Sequence, residues 1–258
     1  MSDGSLVTFS SQGPIARIVL NRPQKLNALS LELMEQFHGI LQQVRVRDDI
    51  SVAIITGEGR AFSVGADLAY LHNLGSGEQF RKDLHYYWHR NYNAIEEMEK
   101  VFIAALNGMV LGGALEMALA CDFRLAVAGS QLGMPQINYG LIPDSGGTNR
   151  LAKLIGAGPA KEMVFSGESI STERALALGL LDRIYAEAEF EDGVTRFAHR
   201  FSDKSPVALG LGKLAINRGR ELDVQSGLGD AAVFQSALLD TEPYLAAMRR
   251  FQEGSSDH

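Results

Sequence analysis

The spacing of apolar positions along the chain switches repeatedly between the period of a strand and the period of a helix, the mark of an α/β layer fold. Val7–Phe9 and Ile15–Leu20 predict a strand pair joined by a turn at Ser11–Pro14. Ser30 is placed to cap a helix that carries Leu33, Phe37, Ile40, Leu41 and Val44 on one face. Val52–Thr56 predicts a short strand, followed by a glycine-containing loop from Gly57 to Ala66. Phe80, Leu84, Tyr87, Trp88, Asn91, Ile95 and Met98 fall at the spacing of one long amphipathic helix. Val101–Leu106 reads as a strand and Ala114–Cys121 as a buried helix, with a glycine loop between them. Further helices are expected to begin at Gly158-Pro159 and Thr172-Glu173, with a strand at Leu181–Tyr185. From about Glu189 the pattern is helical only, with breaks expected at Pro206 and Pro243. Ala231–Leu239 and Tyr244–Gln252 would be helices with apolar faces that need cover, and a neighbouring subunit is one source of it. The expected organisation is an α/β core over residues 1–200 and a helical oligomerisation region over 201–258.

Composition narrows the class. With 258 residues, 46% hydrophobic and 21% charged, the chain can bury a large core and is not of the disordered type. The formal charge of −7 argues against a nucleic-acid binder, though not against a local basic spot for one phosphate. Cys121, the single cysteine, cannot form an internal disulfide, and the first residues lack a signal-peptide pattern. A cytoplasmic protein is expected. Val101–Ala120 is long enough for a membrane span, but Gly108, Gly112 and Gly113 break it and Glu116 would be costly inside a bilayer. No membrane association is expected. A carboxylate in so apolar a helix is the first sign of chemistry.

Several familiar signatures fail on inspection. Gly57-Glu-Gly-Arg-Ala-Phe62 lacks the third glycine of a dinucleotide fingerprint and no helix pattern follows it. Neither a phosphate-cradling P-loop nor the Gly-x-Ser-x-Gly elbow of serine hydrolases occurs. His85 and His89 stand four apart on a helix, but no third ligand is near in sequence, so no metal site is expected. Tyr86, Tyr87, Trp88 and Tyr92 read as core and interface aromatics.

Two glycine loops remain: Ala61-Phe-Ser-Val-Gly-Ala-Asp-Leu68 after one strand, and Asn107 to Asp122 after the next, the latter containing Gly112, Gly113 and Glu116. Glycine lets a ligand approach the backbone, and a helix starting at Gly113–Ala114 turns free N–H groups outward. Two such groups aimed at one point make an oxyanion hole. Together with Leu20-Asn-Arg-Pro23, Leu26-Asn-Ala-Leu29, Ala104-Ala-Leu-Asn-Gly108, Cys121-Asp122, Gly140-Leu-Ile-Pro143, Gly146-Gly-Thr148, Arg150-Leu151 and the tail residues Met248, Phe251 and Glu253, these loops resemble the crotonase (enoyl-CoA hydratase/isomerase) superfamily over most of the chain.

The resemblance implies a ββα spiral core, a helical C-terminal region, and a homo-trimer or dimer of trimers. It implies an acyl-CoA substrate, with coenzyme A entering as part of that substrate and no separate cofactor or metal. The thioester oxygen would be held by the N–H groups of Ala66 and Gly113, with Lys25, Ala61, Asp67, Leu68 and Gln136 among the substrate contacts. Two donors on the thioester carbonyl stabilise an enolate, which opens proton abstraction or conjugate addition. Hydratases of the family use two glutamates. Glu116 matches the first, but the second falls on Gln136, whose amide can orient water without exchanging a proton usefully. Asp144 stands where hydratases usually carry glycine and where the family's double-bond isomerases resemble this sequence in carrying Asp. As a turn residue after Pro143 it would also be unremarkable. Glu116 and Asp144 together favour isomerisation of an unsaturated acyl-CoA, with hydration as the first alternative. Leu84-His-Tyr-Tyr-Trp-His89 also resembles the equivalent helix of aryl-CoA dehalogenases, where a histidine matching His89 is a base, but that branch lacks a carboxylate at position 116. A non-catalytic scaffold of this fold is the remaining alternative. The basic residues usual after Glu253 are missing, which leaves Lys25 as the candidate for a coenzyme A phosphate.

Overall fold

The computed structural model describes residues 4–254. The stretch after Glu253, where the family's basic residues are missing, runs on through 255–258, outside the described residues. The N-terminal pair is β1 (Val7–Gln12) and β2 (Ile15–Leu20), antiparallel, with Gln12 opposite Ile15. The turn is therefore only Gly13-Pro14, tighter than the four residues expected. Ser30 caps α1 (Leu31–Val46) by accepting from Leu33 N–H, and the five apolar residues expected on one face are all buried.

Three strand pairs then repeat one pattern. They are β3 (Val52–Gly57) with β4 (Ala61–Ser63), β5 (Val101–Leu106) with β6 (Met109–Leu111), and β7 (Phe123–Val127) with β8 (Gln131–Gly133). The long strand of each pair joins a six-stranded sheet, and the short one joins a four-stranded sheet. Within each sheet these strands lie parallel. After the first pair come α2 (Leu68–His72), α3 (Gly77–Asp83) and α4 (Arg90–Glu97); after the second comes α5 (Gly113–Ala120). Each ββα turn thus adds one strand to both sheets, which makes a spiral. The short strands β4 and β6 fall inside the two segments read from sequence as glycine loops. Strands of three residues carry too little alternation to register as a period.

The third turn is followed by α6 (Arg150–Ile155), α7 (Ala157–Ser166), β9 (Ser169–Ser171), α8 (Thr172–Ala177) and β10 (Arg183–Tyr185). β10 is shorter than the expected Leu181–Tyr185, because Leu180 and Leu181 are spent on a buried approach to the sheet. β3 and β5 are buried on both faces: α1 and α5 pack on one side, and α9 (Phe190–Ser202) lays Phe190, Val194, Phe197 and Ala198 on the other. Strands covered twice read as unbroken apolar runs, as these do. The division expected at residue 200 falls inside α9.

The chain ends in α10 (Pro206–Gly219), α11 (Val224–Leu238) and α12 (Glu242–Gly254). Pro206 starts a helix as expected, but Pro243 sits in the first turn of α12, where a missing N–H costs nothing. α11 starts seven residues earlier than the apolar pattern suggested, at a cap made by Asp223. No described helix is long and apolar enough to cross a membrane.

One buried ion pair ties α10 to the core. Lys213 Nζ lies 3.0 Å from Asp122 and donates to the carbonyls of Ile95 and Lys100. Asp122 accepts from Phe102 N–H, and burial pushes its pKa up against the pull of Lys213. Removing one partner leaves the other charge stranded. Lys213→Met is expected to cost about 3 kcal/mol in urea denaturation, and adding Asp122→Asn should return part of that loss.

Candidate active site

Ala66 and Gly113 come from different turns of the spiral and line one cavity. Gly113 is the first residue of α5, so its N–H has no carbonyl within the helix to bind. Ala66 bridges to Leu29 through its neighbours only: Leu29 N–H donates to the Gly65 carbonyl and Asp67 N–H to the Leu29 carbonyl. Among the described residues the Ala66 N–H has no main-chain acceptor. Gly65 is what allows the approach, since a Cβ there would lie 2.6 Å from the Leu111 carbonyl oxygen and 3.2 Å from Gly113 N. Its φ of 86° is also left-handed. Beneath the loop, the Tyr92 hydroxyl donates to the Gly113 carbonyl at 2.7 Å and fixes the start of α5.

The cavity measures about 480 Å3 and is walled mainly by apolar groups, among them Tyr70, Leu71, Phe80, Leu84 and Trp88. Of the residues expected at the site, it gathers Lys25, Ala66, Asp67, Leu68, Gly113, Glu116, Gln136 and Asp144. Ala61 is the exception. It lies buried in β4, its carbonyl held by Asn27 Nδ2 at 2.8 Å, and does not reach the cavity. Asp67 lines the wall but is engaged with Arg22 and with Ala69 N–H, so its carboxylate shapes the loop.

Glu116 is 1% exposed. Its Oε1 accepts from Ser145 N–H at 2.7 Å and Gly147 N–H at 2.8 Å, while Gln136 Nε2 stands 3.4 Å from Oε2. Burial, with the charge of Asp144 added, raises its pKa to about 7 against those two backbone donors. A carboxyl with that pKa can give or take a proton near neutrality. Asp144 stands at the rim, exposed on one side; the surrounding protein raises its pKa, and a hydrogen bond from Ser145 Oγ and the nearby His89 oppose the rise. Gln136 Oε1 is buried without a hydrogen-bond partner among the described residues, an open acceptor facing Glu116's surroundings.

Three features of the site were not read from the sequence. Trp88, read as a core aromatic, is indeed buried in the core and in addition walls the cavity, 5.7 Å from the Tyr70 ring. The N–H groups of Ser145 and Gly147 have no sequence signal beyond the glycine. His89 reaches the Asp144 carbonyl through a helical turn that the spacing did not announce: residues Leu84–His89, expected as ordinary α-helix, form a π turn closed by Arg90 N–H on the His85 carbonyl. Among the described residues no group of His, Cys, Asp and Glu is arranged to hold a metal.

A cavity at the head of a buried helix, lined by two turns of a ββα spiral, is the architecture of the crotonase class. An enoyl-CoA hydratase from Bacillus anthracis superposes with a TM-score of 0.92 at 33% identity, covering 96% of each chain. The family model for enoyl-CoA hydratase/isomerase matches residues 10–256, and the chain belongs to that family of acyl-CoA enzymes. Similar curated proteins include the short-chain-enoyl-CoA hydratase of Clostridium acetobutylicum, 31% identical over 96% of this chain and 94% of its own. The 2,3-dehydroadipyl-CoA hydratase of Escherichia coli is 33% identical over 92% of each chain.

The raised pKa of Glu116 has a stability consequence. The folded state holds the proton up to about pH 7, whereas the unfolded chain releases it near 4.5. The cost of the buried charge therefore grows as pH rises between those values and is constant above them. Glu116→Gln removes this dependence and keeps an acceptor for both N–H groups. Its stability relative to the wild type should rise by up to roughly 3 kcal/mol between pH 4.5 and 7, read from urea denaturation.

Proposed function

We propose that this protein moves a double bond within an unsaturated acyl-CoA. The observation that carries the reading is the pairing of Asp144 with Glu116 on one cavity in which the second hydratase glutamate is replaced by the amide of Gln136. Hydration by two carboxylates would need a proton-exchanging group at position 136, and an amide does not provide one. The thioester oxygen accepts from the N–H groups of Ala66 and Gly113. Asp144 takes a proton from the α-carbon, the electron pair spreads over a dienolate held by those donors, and the carboxyl returns a proton to the γ-carbon. Glu116 assists from below. The apolar wall favours an uncharged acyl group, and Lys25, exposed at the mouth, is suited to a coenzyme A phosphate.

Hydration is the second reading, supported by the names of the relatives and by a Glu116 poised near neutral pH beside an amide able to hold water. The two are separated by incubating the protein with 2-enoyl-CoA and 3-enoyl-CoA panels and weighing the products. Asp144→Asn should reduce the double-bond shift roughly a hundredfold or more while coenzyme A binding persists, and Glu116→Gln should reduce it less. The reverse order, with water addition lost on changing Glu116, would establish a hydratase. Gln136→Glu should then raise hydration.

A trimer-based assembly in the cytoplasm completes the reading. The assembly is supported by the exposed Val224, Leu228 and Val233 on α11, apolar side chains that a subunit interface would cover. Light scattering should give a mass three or six times that of the chain; a monomer at working concentration would refute it.

A further inference from the structure

Asp144 and Ser145 form the wall between two cavities. One is the apolar cavity described above. The other, about 410 Å3, lies behind the wall and is bounded by His89, Asn93, Asn149, Lys153, Arg220 and Glu221. Its lining is polar throughout, and its charges are largely matched: Lys153 pairs with Glu221, and Arg150 with Glu96 at 2.7 Å. Such a chamber suits water better than an acyl chain or an ion. It opens on the exposed side of Asp144, through residues from α4, α6 and the end of α10.

The π turn builds the boundary between the two cavities. An α-helix would set His89 well around the axis from Leu84. A turn closed by i→i+5 bonding holds one more residue, which rotates His89 back toward the site. Leu84 and Trp88 thus line the apolar cavity while His89 lines the chamber. His89 Nε2 is 3.0 Å from the Asp144 carbonyl oxygen, and since a carbonyl only accepts, that nitrogen carries the proton.

We propose that Asp144 exchanges its proton with solvent through this rear chamber, and that His89 is the positioning residue that holds Asp144 at the chamber's mouth. The proposal rests on Asp144 as the proton carrier. A bound acyl-CoA fills the front cavity and excludes water from that side, whereas the chamber stays open. In the shift, the bond from the α-carbon to hydrogen breaks, its electron pair enters the dienolate, and the proton forms an O–H bond on Asp144. That O–H then exchanges with chamber water before the carboxyl delivers a proton to the γ-carbon. The proton that arrives is solvent's, not the one removed.

The test is a 3-enoyl-CoA turned over in deuterium oxide, with product sampled at low conversion and its label located by mass spectrometry. Wild-type product should carry deuterium at the γ-carbon. Asn149 has no side-chain hydrogen bond among the described residues, so Asn149→Trp fills the chamber without touching the acyl cavity; Asn93→Phe serves if that variant misfolds. The filled variant should keep shifting the double bond and lose label several-fold through return of the original proton. His89→Phe should lower label in the same direction, and His89→Gln, which keeps an N–H, should restore it. Unlabelled wild-type product, or label unchanged by filling the chamber or by His89→Phe, overturns the proposal. If no 3-enoyl-CoA is isomerised, the isomerase reading falls by itself. The chamber is then judged from exchange at the α-carbon of a saturated acyl-CoA, where equal exchange in wild type and filled variant, or none in either, overturns it.

Discussion

The carboxylate of Glu116, gripped by the N–H groups of Ser145 and Gly147, is the interaction on which the rest of the cavity depends. It ties α5, whose first N–H lines the cavity, to the loop that carries Asp144. Those elements are some thirty residues apart and have no backbone ladder between them. A buried carboxylate is tolerable only when its oxygens find donors. Here the donors are main-chain groups that cannot be removed by a side-chain change. Gly147 is held to glycine by the same contact, since a Cβ there would lie 2.9 Å from Glu116 Oε1. One bond pair therefore sets the position of both carboxyls and pulls the 143–147 loop into a fixed shape.

The spiral supplies the other half of the arrangement. Successive ββα turns bring the ends of equivalent loops side by side, so Ala66 and Gly113, forty-seven residues apart, line one cavity. The wide sheet buried between two helical layers keeps those loop bases rigid. The helices after α9 do less for the cavity and more for the outer surface: α10 is anchored through Lys213, whereas α11 keeps Val224, Leu228 and Val233 exposed. Stability and chemistry are thus separated, with the core holding the loops and the loops holding the polar groups.

Much of this was legible in the chain. α1 and its Ser30 cap, the strands β3 and β5, and the buried carboxylate in α5 follow from apolar spacing and a single charge, because each is a local pattern long enough to repeat. The two glycine loops and the ordered motifs from Leu20 to Glu253 were enough to expect the family. What failed was short or shared. β4 and β6, three residues each, are held by neighbours in a sheet rather than by their own period. Ala61 was placed at the cavity by its position in a glycine loop, but Asn27 and the four-stranded sheet draw it inward.

The sequence by itself determined which segments bury, where the backbone must be glycine, and that two carboxyls and an amide were present for chemistry. Hydrophobic period and residue type are properties of neighbours along the chain, so they survive without the fold. Tertiary structure alone decided which of those groups meet. It drew the Ser145 and Gly147 N–H groups onto Glu116, and it buried that acid beside Asp144, which raises its pKa to about 7 against those two donors. It also brought His89 onto the Asp144 carbonyl, through a π turn at Leu84–His89 that apolar spacing does not distinguish from an α-helix.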